Sequence, residues 1–144
     1  MKTKILLTAA FITISFFSFS QTKQDTVNIR NATLDYLEGY YTANPNRMKN
    51  AMHEKFVKRA FLKNSQGNYY LDEITAEQLI QAAKMKPNES KKTGELDYKI
   101  TFFDIHGNNA SVKVISKQFI FFDYLHLLKT NGKWEIINVL WDVK

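Results

Sequence analysis

The chain has no cysteine. No disulfide can form, so an oxidising compartment is tolerated without being exploited. The same absence removes the cysteine that a bacterial lipoprotein anchor needs at its cleavage site. Histidine is scarce, and His53, His106 and His126 show no ligand spacing, so no metal site is expected. There is no glycine-rich phosphate loop and no serine in a nucleophile-elbow context. No metal, nucleotide or redox cofactor is therefore implied. Positive charge is dispersed. KRAFLK and ESKK are the only clusters, where a nucleic-acid protein would carry a basic stripe interleaved with aromatics, so no nucleic-acid partner is expected. Beyond the first seventeen residues, no stretch is apolar enough to span a bilayer.

What is present is ordinary globular composition. Of 144 residues, 44% are hydrophobic and 24% charged, enough for one domain with a substantial core and too few for a second. The first twenty residues read as a signal peptide: Lys2 and Lys4, then the apolar run Ile5 to Phe17, then small residues at Ser18 and Ser20. A membrane anchor is the alternative, but the run is short of the ~20 residues a spanning helix needs. Cleavage before Gln21 would leave a mature protein free of the membrane, in a periplasm or secreted. The formal charge of +6 would fall to +4 with the loss of Lys2 and Lys4.

Residues 21–25 form a polar leader, and the domain is expected over 26–144. A first helix is predicted from Thr26 to Thr42, since Ile29, Thr33, Tyr36, Leu37, Tyr40 and Tyr41 recur at helical spacing. Asn44-Pro45 restarts a helix, with Asn as cap and Pro at the first helical position, and Met48, Ala51 and Met52 inside. The helical pattern fades from His53 to Phe56. VKRAF and NYYL then suit two short strands joined by KNSQG. Thr75-Ala-Glu-Gln78 is a capping box that opens a third helix, with Leu79, Ile80, Ala82 and Ala83 inward. Lys86-Pro87 ends it, and the polar loop NESKKTGE follows.

Everything after Leu96 reads as antiparallel sheet: DYKITFFDI, a turn at HGNN, ASVKVISKQ, and a long hairpin across Asn131-Gly132. Helices first and a curved meander after make an α+β domain, three helices covering one sheet face. The Asn-Gly turn sets the hairpin register. With Thr130 opposite Lys133, Asp123 falls opposite Leu140. Alternation then puts Phe121, Asp123, Leu125, Trp134, Asn138 and Leu140 on one face, and Phe122, Tyr124, His126, Val139 and Trp141 on the other. Both faces are too apolar for open water. One should meet the helices and the other a second protein chain.

This layout resembles the NTF2-like superfamily, the cone-shaped fold of SnoaL-like cyclases, ketosteroid isomerase and scytalone dehydratase. More closely, it is similar to the branch named putative lumazine-binding. The resemblance is carried by DYLEGYYTANPNRMKNAMHEKFVKR, ITAEQLI, NNASVKV and FFDYLHLLKTNGKWEIINVLW. It implies a pocket between the concave sheet face and the first helices, and a homodimer through the convex face. Aligned with ketosteroid isomerase, the tyrosine of that enzyme's oxyanion hole falls on Tyr36 and its protonated aspartic acid on Asp123. Its general base falls on Ala60, a departure that speaks against the isomerase reaction.

Asp123 is the leading candidate site residue. In an apolar pocket it must take up a proton or find donors. Protonated, it would donate to a ligand carbonyl. Bonded to Tyr36, Asn138 or backbone, it would fasten helix to sheet. Tyr36 and Tyr40, one helical turn apart, would line the pocket with Phe121, Leu125, Asn138 and Leu140. His53 is the candidate base for any catalysis, with helix capping as its alternative. Three readings stay open. One is a binder of a small apolar, ring-shaped ligand anchored by Asp123. The second is a cofactor-independent isomerase, dehydratase or cyclase using Asp123, Tyr36 and His53. The third is a dimeric interaction module using the face of Tyr124, His126 and Trp141.

Overall fold

A computed structural model describes residues 23–86, 96–117 and 120–143. The expected signal peptide and the NESKKTGE loop lie outside these residues. The element order is α1 (Lys23–Tyr41), α2 (Pro45–Ala51), β1 (Met52–Lys63), β2 (Tyr69–Thr75), α3 (Ala76–Lys84), β3 (Tyr98–His106), β4 (Asn109–Ser116), β5 (Phe121–Thr130) and β6 (Lys133–Val143). The six strands form one sheet in the order β2-β1-β6-β5-β4-β3. Three helices packed on this sheet make the expected α+β, cone-like fold.

Helix α1 starts at Lys23, earlier than the polar leader and Thr26 boundary suggested. Asp25 explains the difference. It is buried, and its carboxylate accepts from Trp134 Nε1 at 2.8 Å and Lys129 Nζ at 2.7 Å. An acid in the first turn also suits the positive end of the helix dipole. The first turn is thereby tied to the β5–β6 hairpin. Tyr36, Leu37 and Tyr41 are buried on the predicted face, and Tyr40 is half-buried.

Asn44 caps α2 by accepting from the Arg47 amide, with Pro45 at the first position, as its sequence requires. Arg47 then reaches back to Asp35 at 2.8 Å and Glu38 at 2.6 Å on α1. The two helices meet closely at Gly39: a Cβ there would lie 2.7 Å from Met48 Cγ and 3.0 Å from the Met48 amide nitrogen. The capping box at Thr75 and Gln78 is fully formed and opens α3. Leu79 and Ala83 are buried beneath it, whereas Ala82 faces solvent.

The meander β3-β4-β5-β6 is antiparallel, as its turn chemistry dictates. Strand β1 pairs antiparallel with β2 and parallel with β6, so the sheet is mixed. The last hairpin departs from the simple register. Thr130 does lie opposite Lys133, but a bulge at Ile137 follows: Leu127 pairs with Ile136, while His126 pairs with Asn138. One extra residue on β6 shifts everything beyond it. Asp123 therefore pairs with Trp141, not Leu140. Past the bulge every β6 side chain changes face. Val139 is fully buried, Leu140 is 46% exposed, and Asn138 lies on the outer face beside His126.

The core lies between the helices and the inner sheet face. Ile29, Met48, Phe56, Leu125, Leu127, Ile136 and Val139 are all essentially inaccessible. Each such side chain contributes about 1.5–3 kcal/mol by leaving water.

Candidate functional site

Between α1, α3 and the inner face of β1, β5 and β6 lies a cavity of about 150 Å³. Its walls are mostly rings. Helix α1 contributes Tyr36, Tyr40 and Tyr41, β5 contributes Phe121, and β6 contributes Trp141. Tyr41 and Phe121 stack, with centroids 6.2 Å apart and planes at 19°, and Phe121 meets Trp141 edge-on at 6.1 Å. Ile74 and Leu79 close the side toward α3.

The polar part of the wall is a closed triangle. Lys58 Nζ donates to Asp123 Oδ1 at 2.9 Å and to the Tyr36 hydroxyl at 2.9 Å. Tyr36 donates its own proton to Asp123 Oδ2 at 3.2 Å. Each partner answers the burial problem of another. A buried charge is tolerated when it is paired and hydrogen-bonded, and here both charges are. Lys58 also sits over three rings, 5.6 Å from the centroid of Tyr36, 5.7 Å from Phe121 and 5.4 Å from Trp141. Cation–π attraction at a desolvated site is worth up to ~2 kcal/mol.

The strand period explains how a lysine comes to be there. Phe56, Lys58 and Ala60 alternate onto the inner face of β1, while Arg59 turns outward to Glu73 and Asn138. Lys58 was not singled out from the sequence, where it sits in KRAFLK among dispersed surface charges. Its signal was the alternation with Phe56 and Ala60.

Burial, reinforced by the neighbouring Asp123 charge, pushes the Tyr36 phenol well above its ordinary range. Tyr41 is raised by burial first and Asp123 second, and Tyr40 is raised by burial. These hydroxyls keep their protons at neutral pH. They can donate hydrogen bonds and are poor bases.

Four of the expected pocket residues are where alternation and helical spacing put them: Tyr36, Tyr40, Phe121 and Asp123. Leu125 is on the same face but fully buried in the core rather than in the cavity wall. Asn138 and Leu140 are carried to the outer face by the Ile137 bulge. There Asn138 accepts from Arg59 Nη1 at 2.8 Å and lies 3.1 Å from His126 Nδ1. The same bulge brings Trp141 inward, away from the face expected to meet a second chain. His53 is the second residue of β1, not a helix end. Its Nδ1 accepts from the Lys55 amide at 3.1 Å, and it is not part of the cavity wall. Ala60, where a base would align, is a buried apolar residue. Asp123 meets Lys58, an ammonium partner, which argues against the protonated aspartic acid of an oxyanion hole.

The outer face carries Tyr124, with Lys113 Nζ 3.1 Å from its hydroxyl, and the exposed side chains of Phe61, Leu71, Phe103 and Leu140.

Residues 24–142 match the family model described as putative lumazine-binding. No curated protein matches the chain. Among solved structures, an NTF2-like protein of unknown function from Methylobacillus flagellatus is 20% identical, covers 87% of this chain and 96% of its own, and superposes with a TM-score of 0.69. One from Silicibacter pomeroyi is 12% identical over 84% of this chain and 97% of its own, with a TM-score of 0.66. One from Shewanella baltica is 20% identical over 84% and 94%, with a TM-score of 0.63. At these identities the likeness is one of fold.

Proposed function

Because the chain belongs to the putative lumazine-binding family of the NTF2-like superfamily, we propose that it binds a small, ring-shaped ligand in the cavity between α1 and the sheet. The observation that carries this reading is the Lys58–Asp123–Tyr36 triangle set into a wall of five aromatic rings. An apolar concave site with a few converging polar groups is the usual architecture of a ligand pocket. Asp123 anchors the ligand by holding Lys58 in place. Binding is favoured over catalysis, since Tyr36 holds its proton, Ala60 replaces a base and His53 lies elsewhere. The first twenty residues support export to a periplasm or the medium, with a mature chain starting at Gln21.

The test is a thermal-shift screen against a metabolite library that includes lumazine, paired with native mass spectrometry of protein purified gently from its own host. A co-purified or stabilising compound, lost in Tyr36→Phe or Asp123→Asn, is the expected result. A ligand at a hundred times its Kd would add ~2.7 kcal/mol of stability. A clean apo mass with no stabilising compound would sink the reading.

A second reading, compatible with the first, is a homodimer through the outer sheet face. Phe61, Leu71 and Leu140 lie together toward one edge and Phe103 at the other, all 46–66% exposed. An apolar patch of this kind marks an interaction surface.

A further inference from the structure

We infer that the cavity is built for a neutral aromatic ligand presenting a carbonyl or ring-nitrogen acceptor, and that it discriminates against the matching carboxylates and amines. This rests on the small-molecule reading above and specifies its ligand.

A lysine ammonium has three donors. Two of Lys58's go to Asp123 and Tyr36, which leaves one without a polar partner among the described residues. Tyr36 has a single proton, and Asp123 holds it. Trp141 lines the cavity with its ring, but its indole N–H is closed off from it. Its Nε1 is buried and has no hydrogen-bond partner among the described residues. On the acceptor side, each Asp123 oxygen already receives a bond, and the side chain is 2% exposed against 11% for Lys58. The wall therefore offers the third Lys58 proton and withholds the Asp123 carboxylate, and the half-buried Tyr40 hydroxyl beside them can donate or accept. A ligand carbonyl or ring nitrogen takes the Lys58 proton, whereas a ligand N–H or O–H finds the Asp123 carboxylate already occupied.

Charge sharpens the choice. Lys58 and Asp123 cancel, so the triangle is neutral as a unit. A ligand carboxylate taking the third Lys58 proton would place a second anion close to Asp123 in a site of few polar groups, where repulsion is poorly screened. A ligand ammonium would face Lys58. A neutral acceptor avoids both penalties. Size limits the ring system: a cavity of about 150 Å³ has room for a benzene-sized molecule. One ring, or a compact fused pair reaching toward the cavity mouth, fits better than a steroid.

The test is ligand-detected NMR titration of the purified protein with acetophenone, ethylbenzene, benzoate and benzylamine. Acetophenone should bind roughly 10-fold more tightly than ethylbenzene, the worth of a hydrogen bond from a charged donor. Benzoate and benzylamine should bind no better than ethylbenzene. In Lys58→Met/Asp123→Leu, which removes both charges together, acetophenone and ethylbenzene should bind alike. If that variant does not fold, Lys58→Leu/Asp123→Asn, which also removes both charges but keeps a partner for the Tyr36 hydroxyl, should make acetophenone and ethylbenzene bind alike. The inference is overturned if benzoate binds tightest, if acetophenone shows no advantage, or if its advantage survives both variants. Equal binding of acetophenone and ethylbenzene would leave the pocket reading intact. So would metabolite hits in the thermal screen with none among these four compounds. Absence of any ligand in both experiments would end both.

Discussion

Removing the Asp123 carboxylate strands the Lys58 ammonium among aromatic rings. Asp123→Ala should cost about 3–5 kcal/mol, the penalty for leaving a buried charge unpaired. Lys58→Met/Asp123→Leu should cost far less, because neither partner is then orphaned. Urea denaturation of the two variants reads the difference, and equal losses would mean that the pair is not coupled. The Tyr36 phenol gives a second handle. Its folded value is raised, by burial first and by Asp123 second. The unfolded chain therefore releases that proton near pH 10 while the folded chain keeps it. The contribution is complete below about pH 10 and is lost as pH rises beyond it, at ~1.4 kcal/mol per pH unit for one group. Tyr36→Phe should flatten the alkaline limb of stability against pH by about that slope. Asp123 and Tyr36 were legible in the sequence because one is an acid on an apolar strand and the other recurs at helical spacing. Lys58 was not, since a lysine beside an arginine reads as surface until strand parity is followed from Phe56 through Ala60.

Gly39 tests the helix pair. An interior helical glycine normally gains ~0.5–1 kcal/mol on replacement by alanine. Here the added methyl would press on Met48, including its backbone nitrogen at 3.0 Å. Gly39→Ala should instead destabilise by roughly 1–3 kcal/mol, as overpacking does, and a rise in Tm would show that α2 can move aside. The helices, their caps and the hairpin turn were readable because each carries local chemistry: Asn44-Pro45, the Thr75–Gln78 box, Asn131-Gly132. The Ile137 bulge was not. Its surroundings, IINVLW, are apolar on both parities apart from Asn138, so alternation does not say where one residue is doubled. That single residue decides whether Leu140 or Trp141 faces the cavity, and with it two of the expected site residues. The parallel pairing of β1 with β6 was also beyond local reading, because it joins segments such as Met52 and Ile136 that share no turn.

For the molecule as a whole, the exposed outer face sets the expected state in solution. Sedimentation equilibrium should give a dimer at micromolar concentration. Leu140→Lys should shift it to monomer without loss of the fold, since that side chain is 46% exposed. A native chain that sediments as a monomer would refute the dimer. Strand order bears on how such a molecule comes into being. β6 is the last of the described strands and lies in the middle of the sheet, with β2 and β1 on one side and β5, β4 and β3 on the other. Until residues 133–143 have left the ribosome, the two parts of the sheet have nothing to join them and the cavity lacks Trp141. Long-range pairing of this kind forms late. The nascent polypeptide thus stays open until β6 has been made, the condition in which a chain can still be threaded through a translocation channel.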